Sequence, residues 1–279
     1  MKYEFYCCVN EDVSVIAFLE KHKINYKTDT RMKCIFFTVY SDTENSDALL
    51  RYIKTLPGTS ISKSSIFSNQ EMEAANWYLI YVTRMGMETK NVVYTYEAKC
   101  HYATIYGMKK HYHLDQVNPF VSTKTPKWKN GYHFCSTETG FMTQIFCSTY
   151  AKNIILDSKI NGVDFIPVVK KDLETEVHDV HQLVFSNKLP LEAYTFVGNY
   201  RERVCPFCGR INYIFEEPNC DNLRLNKDMI PGNIDAFGSE IVIGEGFGEE
   251  PIIISKKFYD LIFKVIKERK KHFIVYPII

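Results

Sequence analysis

The sequence predicts an α+β protein in two parts. Apolar residues recur at helical spacing in only a few short stretches, whereas alternating, β-branched and aromatic runs are spread from end to end. Strand-like and helix-like segments interleave over the first 67 residues and then give way to a long strand-dominated stretch. At 279 residues the chain also exceeds the usual size of one domain, so a boundary is expected.

Residues 2–8 read as a strand, and Asn10 or Asp12 caps a helix whose apolar positions Val13, Ile16, Ala17, Leu19 and Ile24 fall near helical period. Residues 24–29 form a short strand and 33–40 an aromatic, β-branched one. Residues 45–55 carry Ala48, Leu49, Tyr52 and Ile53 on one helical stripe, and Pro57-Gly58 breaks the chain before a strand through Ile66. This order, βαββαβ, is a split βαβ sheet with both helices on one face, so residues 1–67 are expected to form a ferredoxin-like domain. Ser68 and Glu71 have the spacing of a capping box and open a linking helix into a larger, β-rich mixed domain over residues 68–279.

In that second part, strands are expected over 79–84, 92–97, 101–106, 111–114 and 132–135. Ser148 caps a helix to about Lys159, which Asn161-Gly162 ends before a strand over 163–169. Residues 194–204 and 210–215 flank the turn Cys205-Pro206-Phe207-Cys208-Gly209 as a hairpin. Short strands follow at 241–243 and 252–254, Ser255 caps a helix from Lys256 to about Lys270, and 273–278 is the last strand.

The hydrophobic share of 46% and the charged share of 24% are ordinary for a globular chain, but the aromatic share of 14% is high and suits both cores and binding faces. A net charge of +1 gives no overall field to hold the protein on nucleic acid or an anionic membrane, so any such contact needs a local patch, and nucleic acid is disfavoured as a partner. The first residues lack the apolar core of a signal peptide, and no run is long enough for a membrane span, so a cytoplasmic protein with no membrane partner is expected. Nine cysteines, an odd and scattered count in such a chain, do not suggest a disulfide framework.

Cys205 and Cys208 have the spacing that converges two thiolates on one metal, and Gly209 lets the backbone turn beside them. Structural zinc needs four ligands. Cys220 could add a third, and His178 and His181, read as neighbours on one helical face, or Cys100-His101 could complete the set if the fold brings them near; the other readings are two reduced thiols in a hairpin turn and a redox pair. Cys135 and Cys147 carry no local signature of a nucleophile. Trp128 between Lys127 and Lys129 is a basic aromatic patch suited to a partner, and Phe247, inside a run of glycines and glutamates, sits on a flexible loop that offers an interaction surface. The third element of the N-terminal unit bears comparison with the RNA recognition motif through Lys33, Phe37 and Tyr40, with Tyr6 on strand one; Cys34 and Ile35 stand where that motif has a glycine and an aromatic.

Over about the last 80 residues, Cys205-Pro206-x-Cys208-Gly209, then Asp235, Phe237-Gly238, Ile253-Ile254-Ser255 opening a helix, and the closing Val275-Tyr276-Pro277-Ile278 resemble the CxxCG-type bacterial immunity proteins. The second Cys-x-x-Cys-Gly of that family is absent. The resemblance implies toxin binding and neutralisation. With no assembled catalytic set, the expectation is a non-enzymatic protein that occludes a bacterial partner, either a toxin or, for a phage-type inhibitor, a host defence enzyme. The alternatives are a nucleic-acid-binding module using the N-terminal sheet and a zinc-dependent enzyme. A homo-oligomer built through the N-terminal sheet or helices is compatible with the fold by analogy.

Overall fold

The computed structural model describes residues 2–278 apart from 91–94, 106–107, 130, 138–143, 207–208, 216–222 and 245–249. The chain is mixed α+β and strand-rich, with several separate sheets. It divides into two compact units, Met1–Ala74 and Ala75–Glu216 continued by Leu223–Ile279.

In the first unit, β1 (Lys2–Asn10), β2 (Tyr26–Asp29), β3 (Cys34–Tyr40) and β4 (Ser60–Ile66) form one sheet in the order β2-β3-β1-β4, antiparallel at every join. Helices α1 (Val13–Lys21) and α2 (Ser46–Lys54) supply Val15, Leu19, Leu49, Leu50 and Ile53 to a core shared with Val9, Ile35, Phe37 and Val39. Each such side chain is worth roughly 1.5–3 kcal/mol when fully buried. Asp12 is the cap of α1, its Oδ1 accepting the N–H groups of Ser14 and Val15 at 2.9 and 3.0 Å. Strand alternation sends the other residues to the opposite face, where Tyr6, Phe36 and Tyr40 are exposed. Phe37, matched above to a stacking position, is therefore a core residue, and Phe36 shares the open face with Tyr40. A short helix α3 (Asn69–Ala74) follows, opened by a reciprocal box in which Glu71 Oε2 accepts the Ser68 N–H at 2.7 Å and Ser68 Oγ accepts the Glu71 N–H at 3.2 Å.

The second unit is built around a closed barrel of β6 (Met85–Lys90), β9 (Val121–Lys124), β10 (Phe134–Thr137), β11 (Ile145–Cys147), β12 (Val163–Val169) and β13 (Glu176–Phe185), in the order β10-β11-β13-β12-β9-β6. Met87, Phe120, Cys135, Phe146, Val168, Val177 and Val180 pack together, with Trp128 against them. Gln182, 2% exposed, is satisfied by amide pairs: it exchanges two bonds of 2.7 Å with Gln116 and donates to Gln144 at 3.0 Å. A second sheet of β14 (Lys188–Leu189), β19 (Ala236–Ser239), β21 (Ile252–Ser255), β5 (Trp77–Val82) and β22 (Phe273–Ile278) packs Leu79, Phe237, Ile253 and Ile278 into another cluster. Three smaller ladders complete the unit: β7 (Tyr96–Ile105) with β8 (Met108–Gln116), β15 (Tyr194–Phe196) with β18 (Leu223–Leu225), and β16 (Tyr200–Val204) with β17 (Ile211–Phe215) and β20 (Val242–Ile243). The strands expected from Val92 and through Tyr106 begin or end outside the described residues.

Helix α4 (Thr149–Asp157) is capped by Ser148, whose Oγ accepts the Ala151 N–H. Helix α5 (Lys256–Asp260), capped by Ser255, continues as a π-helical turn over Leu261–Val265 and stops well short of the expected Lys270. The stop has a local cause: Lys267 takes a left-handed φ of +59°, and Glu268, 4% exposed, turns inward. His178 and His181 belong to strand β13, not to a helix face. Among the described residues, no helix is long and apolar enough to cross a membrane.

Candidate functional site

At one corner of the barrel unit, the chain from Lys127 to His133 meets Arg84, just after β5, and Arg269, between the π-helical turn and β22. The Tyr132 N–H donates to the Lys129 carbonyl at 2.8 Å, closing a turn in which Gly131 has φ +72°. A side chain at Gly131 would place its Cβ 3.1 Å from Arg269 Cγ and 3.3 Å from the Lys267 carbonyl, so the two segments approach closely because this residue has none.

Tyr132 is the hub. The Arg269, Arg84 and Lys129 cationic groups lie 4.5, 5.1 and 5.4 Å from its ring centroid, and Arg269 also donates to its hydroxyl at 2.8 Å. Arg84 is held by donating to the carbonyls of Phe134 and Lys127 at 3.1 and 3.2 Å, with its guanidinium 5.5 Å from the Trp128 ring. Behind this layer sits Glu268, whose carboxylate accepts the His133 N–H at 2.6 Å and meets His272 Nδ1 at 3.2 Å. Among the described residues, none of Arg84, Lys127, Lys129 and Arg269 forms an ion pair. Cations elsewhere in the same unit do find carboxylates, as Lys188 and Arg210 find Glu250.

Trp128 is half-buried and donates its indole N–H to the Asp179 carbonyl at 2.6 Å. Asp179 has φ +63° in the middle of β13, and this left-handed kink aims its carboxylate at the start of α4, where it accepts the Thr149 N–H at 2.7 Å. Two residues on, His181 Nε2 lies 3.0 Å from the Thr149 hydroxyl, while His178 is exposed. Trp128 thus ties the patch to the barrel, and the exposed part of the surface is supplied by Lys127, Lys129 and Arg269.

The nearby nucleophile candidates are committed to structure. Ser148 Oγ is 3.0 Å from His133 Nδ1, but the residue is buried and its hydroxyl caps α4. Burial pushes the Cys135 thiol up to about 12 and raises Cys147 well above its ordinary range, so neither is a thiolate near neutral pH. Burial also lowers the His133 and His181 pKa values.

At the Cys205 turn, the Cys205 N–H donates to the Arg210 carbonyl at 2.8 Å and its carbonyl accepts the Gly209 N–H at 2.9 Å. Gly209 has φ +74°, and Cys205 is buried, an arrangement that suits one half of a zinc knuckle. Cys208 and Cys220, the other expected ligands, lie outside the described residues, as does Phe247. Among the described residues, no group of three or more His, Cys, Asp or Glu side chains is placed to hold a metal ion.

Sequence reasoning found Lys127, Trp128 and Lys129 as a run. It did not join Arg84, Tyr132 or Arg269 to that run. No protein-family model matches the chain, and no curated protein matches it.

Proposed function

We propose that the protein is a non-enzymatic antagonist that occludes an acidic face of a partner protein, a toxin or a defence enzyme in bacterial or phage conflict. The supporting observation is that three cations, Arg84, Lys129 and Arg269, gather at Trp128 and Tyr132 with the exposed Lys127 next to Trp128 in sequence, and that none of the four has an ion-pair partner among the described residues. Held together, like charges repel. An acidic surface removes that repulsion on binding, and the aromatic rings keep the cations in place beforehand, so little side-chain freedom is lost. The Met1–Ala74 unit, on this reading, is a ferredoxin-like module, and the Cys205 turn is a structural zinc site with Cys208 and Cys220 among its ligands.

The test is affinity capture with the full chain from nuclease-treated native lysate at about 150 mM salt, where weak phosphate contacts are screened. The wild-type chain is expected to retain a stoichiometric acidic protein, and Lys127→Glu with Lys129→Glu to lose it while keeping its melting temperature. Equal retention by the charge-reversed variant would overturn the assignment of this surface. Metal analysis of the same preparation tests the zinc site: one bound zinc, lost with Cys205→Ser, is expected, and metal-free native protein would remove zinc from the proposal.

A further inference from the structure

We infer that the open face of the Met1–Ala74 sheet is a binding site for single-stranded nucleic acid, separate from the cationic corner of the other unit. Tyr6 on β1 lies opposite Thr38 on β3, and Phe36 and Tyr40 flank Thr38 on the same side of the sheet. The three residues are 51%, 38% and 38% exposed. Among the described residues the rings of Tyr6, Phe36 and Tyr40 have no ring partner; the one cation on them is Lys2, 5.1 Å from the Tyr40 centroid. Three unstacked rings on the two central strands form a platform with π-faces available to bases.

The surroundings select the ligand. A groove of about 810 Å³ crosses the face from β4 to β2. Its only charged or titratable lining groups besides the tyrosine and cysteine side chains are Lys23, Lys27 and His22, all at the β2 edge, and neither lysine is ion-paired among the described residues. The opposite edge is lined by the hydroxyls of Ser60 and Ser62. Two acids lie near it but outside its lining: Glu4 accepts a hydrogen bond from the Tyr6 hydroxyl, and Glu20 accepts one from the Tyr26 hydroxyl at 3.2 Å. A cationic edge, an aromatic floor and a hydroxyl edge complement a ligand that is anionic on one side and flat and polar on the other, which describes a short run of nucleotides. The near-neutral charge of the whole chain makes this a local contact, with affinity carried by stacking more than by a long-range field.

The experiment uses the full chain and fluorescently labelled ten-nucleotide oligo-U and oligo-dT, read by anisotropy at low and moderate salt. Saturable binding of at least one oligomer is expected, weakened roughly tenfold by either Phe36→Leu or Tyr40→Leu and restored by Phe36→Trp. Lys23→Ala and Lys27→Ala, exposed changes that do not threaten the fold, should each reduce the salt slope by about one unit. Whichever of RNA and DNA binds tighter identifies the natural source of the strand. Failure of wild type to bind either oligomer, equal binding of a duplex, or binding insensitive to both the aromatic and the lysine changes would overturn the inference. Oligomer binding should survive Lys127→Glu with Lys129→Glu; its loss there, with retention in Phe36→Leu, would move the nucleic acid to the other surface and reject this one.

Discussion

In the Met1–Ala74 unit four strands bury one face under two helices and leave Tyr6, Phe36 and Tyr40 on the other; in the second unit six strands close on themselves. An open sheet keeps a whole face whose side chains the fold does not need. A closed barrel turns its whole inner face into core, so a polar side chain buried within it must be paired, as Gln182 is with Gln116 and Gln144. The same closure moves candidate binding groups to a corner, where Trp128 is half core and half surface. Substitution should therefore be cheap on the open face and at the cationic corner, and expensive where the second unit is closed.

The largest effect is expected from Gly162→Ala, at the turn between α4 and β12. Gly162 has φ +90°, and an added Cβ would sit 2.3 Å from the Ala236 carbonyl oxygen and 2.7 Å from Ile234 Cγ2. Left-handed strain and a backbone clash together put the cost at about 3 kcal/mol or more, measured by denaturant unfolding of the second unit. Next comes Gln182→Leu, which takes a partner from the half-buried amides of Gln116 and Gln144 and should cost about 2 kcal/mol. The counterpart in the first unit is Asp12→Ala, which removes two N-cap bonds from α1 at a cost of about 1 kcal/mol. If Asp12→Ala destabilises more than Gln182→Leu, the contrast between open and closed units fails.

Acid should separate the units as well. Burial lowers the pKa of His133 and of His181, both in the second unit, so their neutral forms are favoured when folded. As pH falls below about 6.5, the unfolded histidines take up protons before the folded ones do, and the second unit loses stability until pH passes below the depressed folded values. Thermal melts between neutral and mildly acidic pH should show this decline, and His133→Asn with His181→Gln should flatten it. An unchanged slope in the double variant would show that other groups carry the pH dependence.

Much of the local structure was legible in the sequence, because cap chemistry acts over three residues: Asp12, Ser68 with Glu71, Ser148 and Ser255 all cap as their spacing implies. Strand alternation also shows that Phe36 and Phe37 lie on opposite faces, but not which face the helices cover; that is decided by packing. The barrel was hidden for a related reason. Strands of three or four residues, such as β11 and β9, are too short to show a period, and His178 and His181, three apart, read as a helical face because the left-handed φ of Asp179 that kinks β13 between them leaves no mark in the sequence. At the candidate site, Lys127, Trp128 and Lys129 are adjacent and were visible, whereas the Arg269–Tyr132 bond spans 137 residues and only tertiary structure creates it.

The smallest effect sharpens the comparison most, because it separates stability from binding. Lys127→Ala with Lys129→Ala removes two exposed cations that have no ion-pair partner among the described residues, and leaves Trp128 and its bond to Asp179 in place. Unfolding free energy should stay within about 0.5 kcal/mol of wild type, as for surface changes away from structural features. Any shift at low salt should be toward greater stability, because repulsion with Arg84 and Arg269 is relieved, and added salt should erase it by screening. A loss of 2 kcal/mol or more, roughly what removal of buried contacts costs, would mean that the lysines brace the corner of the fold. The unpaired cations would then be structural, and the argument for an acidic partner would lose its main support.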